Sequence, residues 1–413
     1  MNETIRFKDL FEVISQKNTD PNVILLAATQ NRGIIPKSEV GYRTVTISEE
    51  NFEGLKLVKK GDFCITLRSF QGGIEYSEYD GGISSGYTVL RFKRKAFDKY
   101  FKYFLKNIHF ISTLNKYKIS IRDGQNIPFS NLGKESILFL PYNQQTAIAN
   151  YLDYHTTKLD KEISLLEKKV EKLDEYKQAL IYETVTKGLD KNVPMKDSCI
   201  EWIGMIPEHW EVKRVKDFSP NYLGGVWGDY SENEKGVPVL RSTEQDINGN
   251  LKIKDPAILD IQNIKSRNKL KNKDILLTKS SGSKDHVGKS SYITTNNGEG
   301  YCFSNFMMGI RCLSKNINTK FLNYCINNIF VKSQINNNSL SITLNNLTNS
   351  SVGNLYIIKP PQAEQHQIIE YLDEQCSKID KKKELINKKV ELLKEYKQSL
   401  IYEAVTGKLT IGE

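Results

Sequence analysis

The sequence predicts an α+β protein in which two globular blocks are separated by two long antiparallel coiled-coil helices in a pseudo-two-fold arrangement. Three observations predict it. A segment in the middle of the chain returns at its end; each copy carries a heptad seam; and the stretch before each copy alternates short apolar runs with Gly/Asn/Ser clusters.

The repeat is most plain in "EYKQALIYETVT" at 175–186, which comes back as "EYKQSLIYEAVT" at 395–406. The offset of 220 residues holds without a gap from Pro141/Pro361 to Leu189/Leu409. This unit is too long and too singular for a solenoid repeat.

Within the first copy, Leu152, Leu159, Ile163, Leu166, Val170, Leu173 and Leu180 fall on a seam of alternating three- and four-residue steps. In the second copy the seam is Leu372, Cys376, Ile379, Ile386, Val390, Leu393 and Leu400. With charges on the outer positions, as in "LEKKVEKLDEYKQ", this is a coiled-coil pattern, so each copy is one long helix. A helix over 145–186 would extend on the order of 60 Å. Two ordinary amphipathic helices buried in separate domains are the alternative. Lys177 and Lys397 interrupt the seam at equivalent positions, either to fix its register or as lysines whose stems snorkel outward. The domain boundaries expected are 1–141, 142–190, 191–361 and 362–413, with "DKNVPMKDSCIEWIGMIPEHW" as a possible linker into the second block.

The two blocks resemble each other faintly. "LVKKGDFCITLRS" and "LKNKDILLTKSSGS" both place a Lys-rich turn before a short apolar strand and a loop, and both blocks end in an apolar strand leading to proline. Runs such as "KYFKYFLKNI" and "TKFLNYCINNIF" read as helix, which makes each block α+β.

Charge is distributed unevenly. The net charge of +10 resides in the blocks, +6 over 1–140 and +7 over 191–360, whereas the helical copies are −2 and 0. An acidic partner at the blocks follows, nucleic acid before membrane surface. No apolar run approaches a membrane span and the start "MNETIRFKDL" lacks a signal-peptide plan, so a cytoplasmic protein is expected. The six cysteines form no C-x-x-C pair and the five histidines are isolated, so neither a disulfide framework nor a metal site is expected.

"GSKDHVGKS" at 282–290 approaches a phosphate-binding loop, but five residues instead of four separate Gly282 from Gly288, and "SYITTNN" does not open a helix. The same loop fits either a basic DNA-contacting segment, through Ser280, Ser281 and Lys284, or a surface turn. In the first block, "TLRSFQGG" offers Arg68 and Gln71, and "SIRDGQN" offers Arg122, Asp123, Gln125 and Asn126. Arg, Gln and Asn make paired hydrogen bonds to guanine or adenine edges, though each also serves in salt bridges and turns. Ser69, Arg241 and Lys279 complete the candidate DNA contacts. No G-x-S-x-G, strand-linked G-x-G-x-x-G or methyltransferase Pro-Pro-aromatic tetrapeptide occurs, so no catalytic residue is assigned.

This layout resembles the specificity subunits of type I restriction-modification systems across the whole chain. The resemblance is carried by the order block, helix, block, helix, by "LPYNQQTAIANYLD" and "KPPQAEQHQIIEYLD" opening the helices, by "EYKQ-LIYE-VT" closing them, and by "WIGMIPEHWEVKRVKDF" opening the second block. "RSFQGGIEYS" and "SSGSKDHVGKSSYI" look like loops of that family's target recognition domains. Tyr142 and Gln144 depart from the second copy's Gln362 and Glu364. The resemblance implies a non-catalytic subunit for DNA methylation and phage defence, with two target recognition domains that each read half of a split asymmetric sequence on double-stranded DNA. It also implies two methyltransferase subunits carrying S-adenosylmethionine, restriction subunits joining them, and no cofactor in this chain. The residues leave two other classes open: a self-contained nuclease or methyltransferase with a degenerate site, and a coiled-coil scaffold whose basic blocks bind protein or membrane.

Overall fold

The computed structural model describes residues 3–40, 52–121, 124–218, 220–231, 236–246, 248–262, 264–283, 286–338, 346–409 and 411. The chain divides into two compact units, Met1–Lys168 with Ile386–Glu413 and Lys169–Leu385. Each unit holds one globular block, the opening part of the helix that follows it, and the closing part of the other helix.

In the first unit, strand Glu3–Arg6 pairs antiparallel with Ser136–Phe139, closing the ends of the block on each other where the helix begins. An antiparallel sheet runs in the order Phe11–Ile14, Thr88–Phe92, Phe63–Ile65, Glu75–Tyr76. Helices Asp98–Phe104 and Ile108–Lys116 supply Tyr100, Phe101 and Phe110 to a core with Phe7, Phe11 and Phe63. The second helix starts at Asn107, whose side chain accepts from the amides of His109 and Phe110 and so satisfies two of the unpaired donors of its first turn.

The second unit has the same plan. Glu211–Arg214 pairs with Tyr356–Lys359, and the sheet order is Pro220–Gly224, Met307–Cys312, Ile275–Thr278, Ser290–Tyr292. Helices Thr319–Ile326 and Ile329–Asn338 bring Phe321, Leu322 and Phe330 to a core with Trp210. The additions differ. The second block carries a further sheet in the order Asp229–Tyr230, Ala257–Asp260, Val237–Leu240, Cys302–Phe303. The first has instead a hairpin, Leu26–Thr29 with Gly33–Pro36, and the pair Lys56–Val58 with Gly81–Ile83.

The likeness of the blocks is closer than the sequence suggests, because it resides in the turn entering the third strand of each sheet. The Asp62 carboxylate accepts from the Lys59 amide at 2.7 Å, and that of Asp274 accepts from the Lys271 amide at 2.7 Å. Arg91 then donates to both oxygens of Asp62 at 2.7 and 2.6 Å, and Arg311 to both oxygens of Asp274 at 2.8 and 2.6 Å. Each aspartate side chain is 2% exposed, so each block buries a forked ion pair between adjacent strands. The preceding residue takes the left-handed conformation in both, Gly61 at φ 94° and Lys273 at φ 72°.

The long helices are Tyr142–Lys187, of 46 residues, and Gln362–Val405, of 44. In the first unit, Leu152, Ile163, Ile386, Val390 and Leu400 are buried and Leu159, Leu166 and Leu393 half-buried; in the second, Leu372, Cys376 and Ile379 are buried and Val170, Leu173 and Leu180 half-buried. Both seam lysines are ion-paired across the helix pair, a role the sequence did not suggest. Lys177 meets Asp380 at 2.7 Å in the second unit, and Lys397 meets Asp160 at 2.6 Å in the first. Under the 220-residue offset these are the same pair made twice, which fixes one antiparallel register in both units.

The opening and closing motifs have matching duties. Gln145 and Gln365 are fully buried at the helix starts, donating to the carbonyls of Leu140 and Pro360 and accepting from the amides of Phe97 and Asn318. The aspartates of the two "YLD" triplets accept from tyrosine hydroxyls, Tyr103 to Asp153 and Tyr324 to Asp373, both at 2.7 Å. At the closing ends, Ile181 and Val185 enter the core of the second unit while Leu400, Ala404 and Val405 enter that of the first.

The segment expected as a linker is folded. Met195–Asp197 and Met205–Pro207 form a hairpin, and Ile203, Ile206 and Trp210 are buried in the core of the second unit. The indole of Trp210 and the imidazole of His209 share the Glu364 carboxylate, at 2.9 and 2.7 Å. Glu364 therefore anchors the entry strand of the second block. The first block opens without a tryptophan, and its equivalent residue is Gln144.

Candidate nucleic-acid interface

The loops that leave the third strand of each common sheet hold most of the candidate contacts. In the first unit the strand ends at Ile65, and after Thr66 a short turn, Ser69–Gly72, follows. Arg68 and Gln71 on it are exposed. Ser69 is corrected: it is 1% exposed, and its hydroxyl accepts from the Thr66 amide at 2.8 Å, so it closes the turn and offers nothing to a ligand. The turn is tied to helix Ile108–Lys116 by Asn115, which donates to the Phe70 carbonyl at 2.8 Å, and Lys118 lies over the Phe70 ring. The hairpin Ile119–Ile121 with Gly124–Asn126 begins there, so Gln125 and Asn126 belong to the same region as Arg68 and Gln71. Asn126 is exposed. Arg122 and Asp123 lie outside the described residues.

In the second unit the equivalent loop starts at Lys279. The amides of Lys279 and Ser280 both donate to the Phe306 carbonyl, at 3.0 and 3.1 Å, and the Lys279 carbonyl accepts from Leu347 at 2.8 Å. Lys279, Ser280 and Ser281 are half-buried, and Lys284 lies outside the described residues. Arg241 is half-buried in a separate turn, where its guanidinium donates to the Asp255 carbonyl at 3.2 Å and stands 3.5 Å from Glu244 and from the Tyr230 hydroxyl.

Two features escaped the sequence reading. The first is Lys289 of "HVGK", 2% exposed, whose ammonium donates to the carbonyls of Ser242 and Gln245 at 2.9 and 2.6 Å and stands 3.1 Å from His286 Nδ1. Burial holds its pKa below the ordinary lysine value. The lysine that resembled part of a phosphate loop thus faces inward and clamps the Arg241 turn to the base of the Ser280 loop. The second is a set of exposed aromatic rings bordering Lys279 and Arg241, Trp227 and Phe306 on loops and Tyr230 on the strand Asp229–Tyr230. Among the described residues no cluster of His, Cys, Asp and Glu could hold a metal ion, and no helix is long and apolar enough to cross a membrane.

Two α+β blocks of one topology, each completed by halves of a duplicated antiparallel helix pair and each presenting unlike loops from the same sheet end, define an internally duplicated two-block architecture. Residues 207–392 match the model of the type I restriction modification DNA specificity domain, and the chain is similar to specificity subunits of type I restriction enzymes. The specificity subunit of the type I restriction enzyme EcoKI of Escherichia coli (strain K12) is 26% identical over 212 residues, covering 50% of this chain and 45% of that protein. The StySPI specificity subunit of Salmonella potsdam gives the same identity and coverage. The matched stretch spans about half the length of these relatives. A chain solved in a study of complex assembly and conformational transition of the type I R-M system superposes with a TM-score of 0.71, at 15% identity, covering 99% of this chain and 98% of that one. It shares the fold.

Proposed function

We propose that this chain is the DNA-specificity subunit of a type I restriction-modification complex, with each globular block reading one half of a split asymmetric sequence. The observation that carries the reading is one frame built twice with different loops. The buried Asp–Arg fork, the glutamine at the helix start and the Tyr–Asp bond recur, whereas the chain leaving the third strand is "TLRSFQGG" in one block and "TKSSGSKDHVG" in the other. Equal frames give both loops the same approach to duplex, and unlike loops give each half-site its own sequence. The basic excess of both blocks supports DNA as the ligand.

The long helices set the distance between half-sites in this reading and dock two methyltransferase subunits. Leu165 and Leu385, and likewise Tyr176 and Tyr396, are exposed at equivalent positions of the two copies, which suits two copies of one partner. The chain is non-catalytic: S-adenosylmethionine belongs to the methyltransferase, and restriction subunits join that assembly. Methylation mapping of DNA from cells producing this chain with its methyltransferase should show a split asymmetric motif. A contiguous motif would refute the bipartite reading, and turnover by the isolated chain would refute the non-catalytic one.

A further inference from the structure

The loop "GGVWGD" at 224–229 alternates burial and exposure. Val226 is buried in a small core with Val239 and Cys302, which turns Trp227 outward, where it is 69% exposed. The loop is not free to hide the indole. Val226 donates to the Phe303 carbonyl at 2.8 Å and accepts from the Asn305 amide at 3.0 Å. A Cβ at Gly225 would lie 2.2 Å from the Ser304 carbonyl, and one at Gly228 would lie 2.5 Å from that of Asp260, so both glycines let the loop press on its neighbours. Phe306, 49% exposed, stands edge-on to Trp227 at 6.2 Å between centroids, and its carbonyl accepts the amides of Lys279 and Ser280. Two large rings are thus held in water by backbone that also positions the candidate reading loop.

Chemistry nearby says what they meet. Lys279 flanks the rings on one side, and Arg241 borders Tyr230, itself 69% exposed, on the other. Asp229 and Asp260, paired across adjacent strands, are exposed beside the same loop. Carboxylates repel phosphates but accept from the exocyclic amino groups of cytosine. We propose, resting on the DNA-reading role above, that Trp227 and Phe306 are an apolar base-contacting surface of the second block, packing against base faces or thymine methyls of duplex DNA and not against its phosphates. Aligning the sheets on the two Asp–Arg forks puts Asn18 at the position of Trp227 and Gly86 at that of Phe306. Neither is aromatic, so at these positions, among the described residues, the first block has no counterpart.

The test uses the complex of the full chain with its methyltransferase, a duplex carrying the motif found by methylation mapping, and a scrambled duplex, over a range of salt. The double variant Trp227→Ala/Phe306→Ala should bind the motif about ten- to a hundredfold more weakly. Binding to the scrambled duplex and the slope of log affinity against log salt should stay as in wild type, because no phosphate contact is lost. Lys279→Met, in contrast, should lower the slope by about one. Equal loss on both duplexes, an altered salt slope, unchanged motif affinity, or failure of the double variant to assemble with the methyltransferase would each overturn the proposal. Wild-type complex that does not distinguish the two duplexes would instead refute the DNA-reading role beneath it.

Discussion

The first and second blocks differ least where they are buried and most where they meet solvent. Each joins its terminal strands, orders its sheet alike and locks the third strand with a forked Asp–Arg pair. Yet one leaves that strand through a tight turn closed by Ser69, the other through a longer loop underpinned by Lys289 and bordered by aromatic rings. A frame that tolerates loops this unlike must be stabilised independently of them, and the buried polar bonds are where that independence can be tested.

The largest effect should come from breaking the frame. Asp274→Ala leaves Arg311 without its fork in a buried site and should destabilise the second unit by about 3–5 kcal/mol. Asp62→Ala should do the same in the first. Denaturant unfolding followed by Trp210 emission reports the second unit, so Asp274→Ala should shift that transition while Asp62→Ala leaves it in place. A common shift in both variants would show that the units are not separately stabilised.

A subtler asymmetry lies in the helix pairs. Lys177 is more deeply buried, at 9% side-chain exposure, than Lys397 at 27%. Lys177→Met should therefore change stability by about 1–2 kcal/mol and Lys397→Met by less than about 1 kcal/mol. Equal effects measured by urea midpoint would contradict the difference in burial.

The turn before the fork offers a gain. Lys273 occupies a left-handed conformation that its counterpart Gly61 adopts freely, so Lys273→Gly should stabilise by about 1 kcal/mol. Gly61→Lys should cost a similar amount, and a loss of stability in Lys273→Gly would remove the argument from backbone strain.

The remaining effect concerns pH. Burial raises the Glu75 carboxyl to about 7, against the opposing pull of Lys106 at 2.6 Å. In the unfolded chain it titrates near ~4.3. Between those values the folded state binds the proton more tightly, so this contribution is complete below about pH 4 and fades as pH rises to about 7. Glu75→Gln should flatten that dependence in the first unit, and an unchanged profile would assign it to other groups.

Much of this was legible in the sequence. The heptad seam and the 220-residue offset mark both helices because a coiled coil repeats its apolar contacts locally. The loops were located by the Lys-rich turn and apolar strand before them. The fork was not, since Asp62 and Arg91 are separated by 29 residues and Asp274 and Arg311 by 37, with no local periodicity joining them. The 190–210 stretch reads as a linker in the sequence because its hairpin is three residues a side and its anchor, Glu364, lies far along the chain. Trp227 had a signal that went unread: an aromatic residue in a glycine-rich loop beside a buried valine.

Exchange of one block tests the central claim most directly. The paired strands Glu211–Arg214 and Tyr356–Lys359 close the second block on itself, so residues 211–359 can be replaced by the corresponding block of a relative with the helices untouched. Methylation mapping of the chimera should show one half-site replaced, with the other half-site and the gap unchanged. Alteration of both half-sites, or of the gap, would contradict two blocks that read independently from one shared frame.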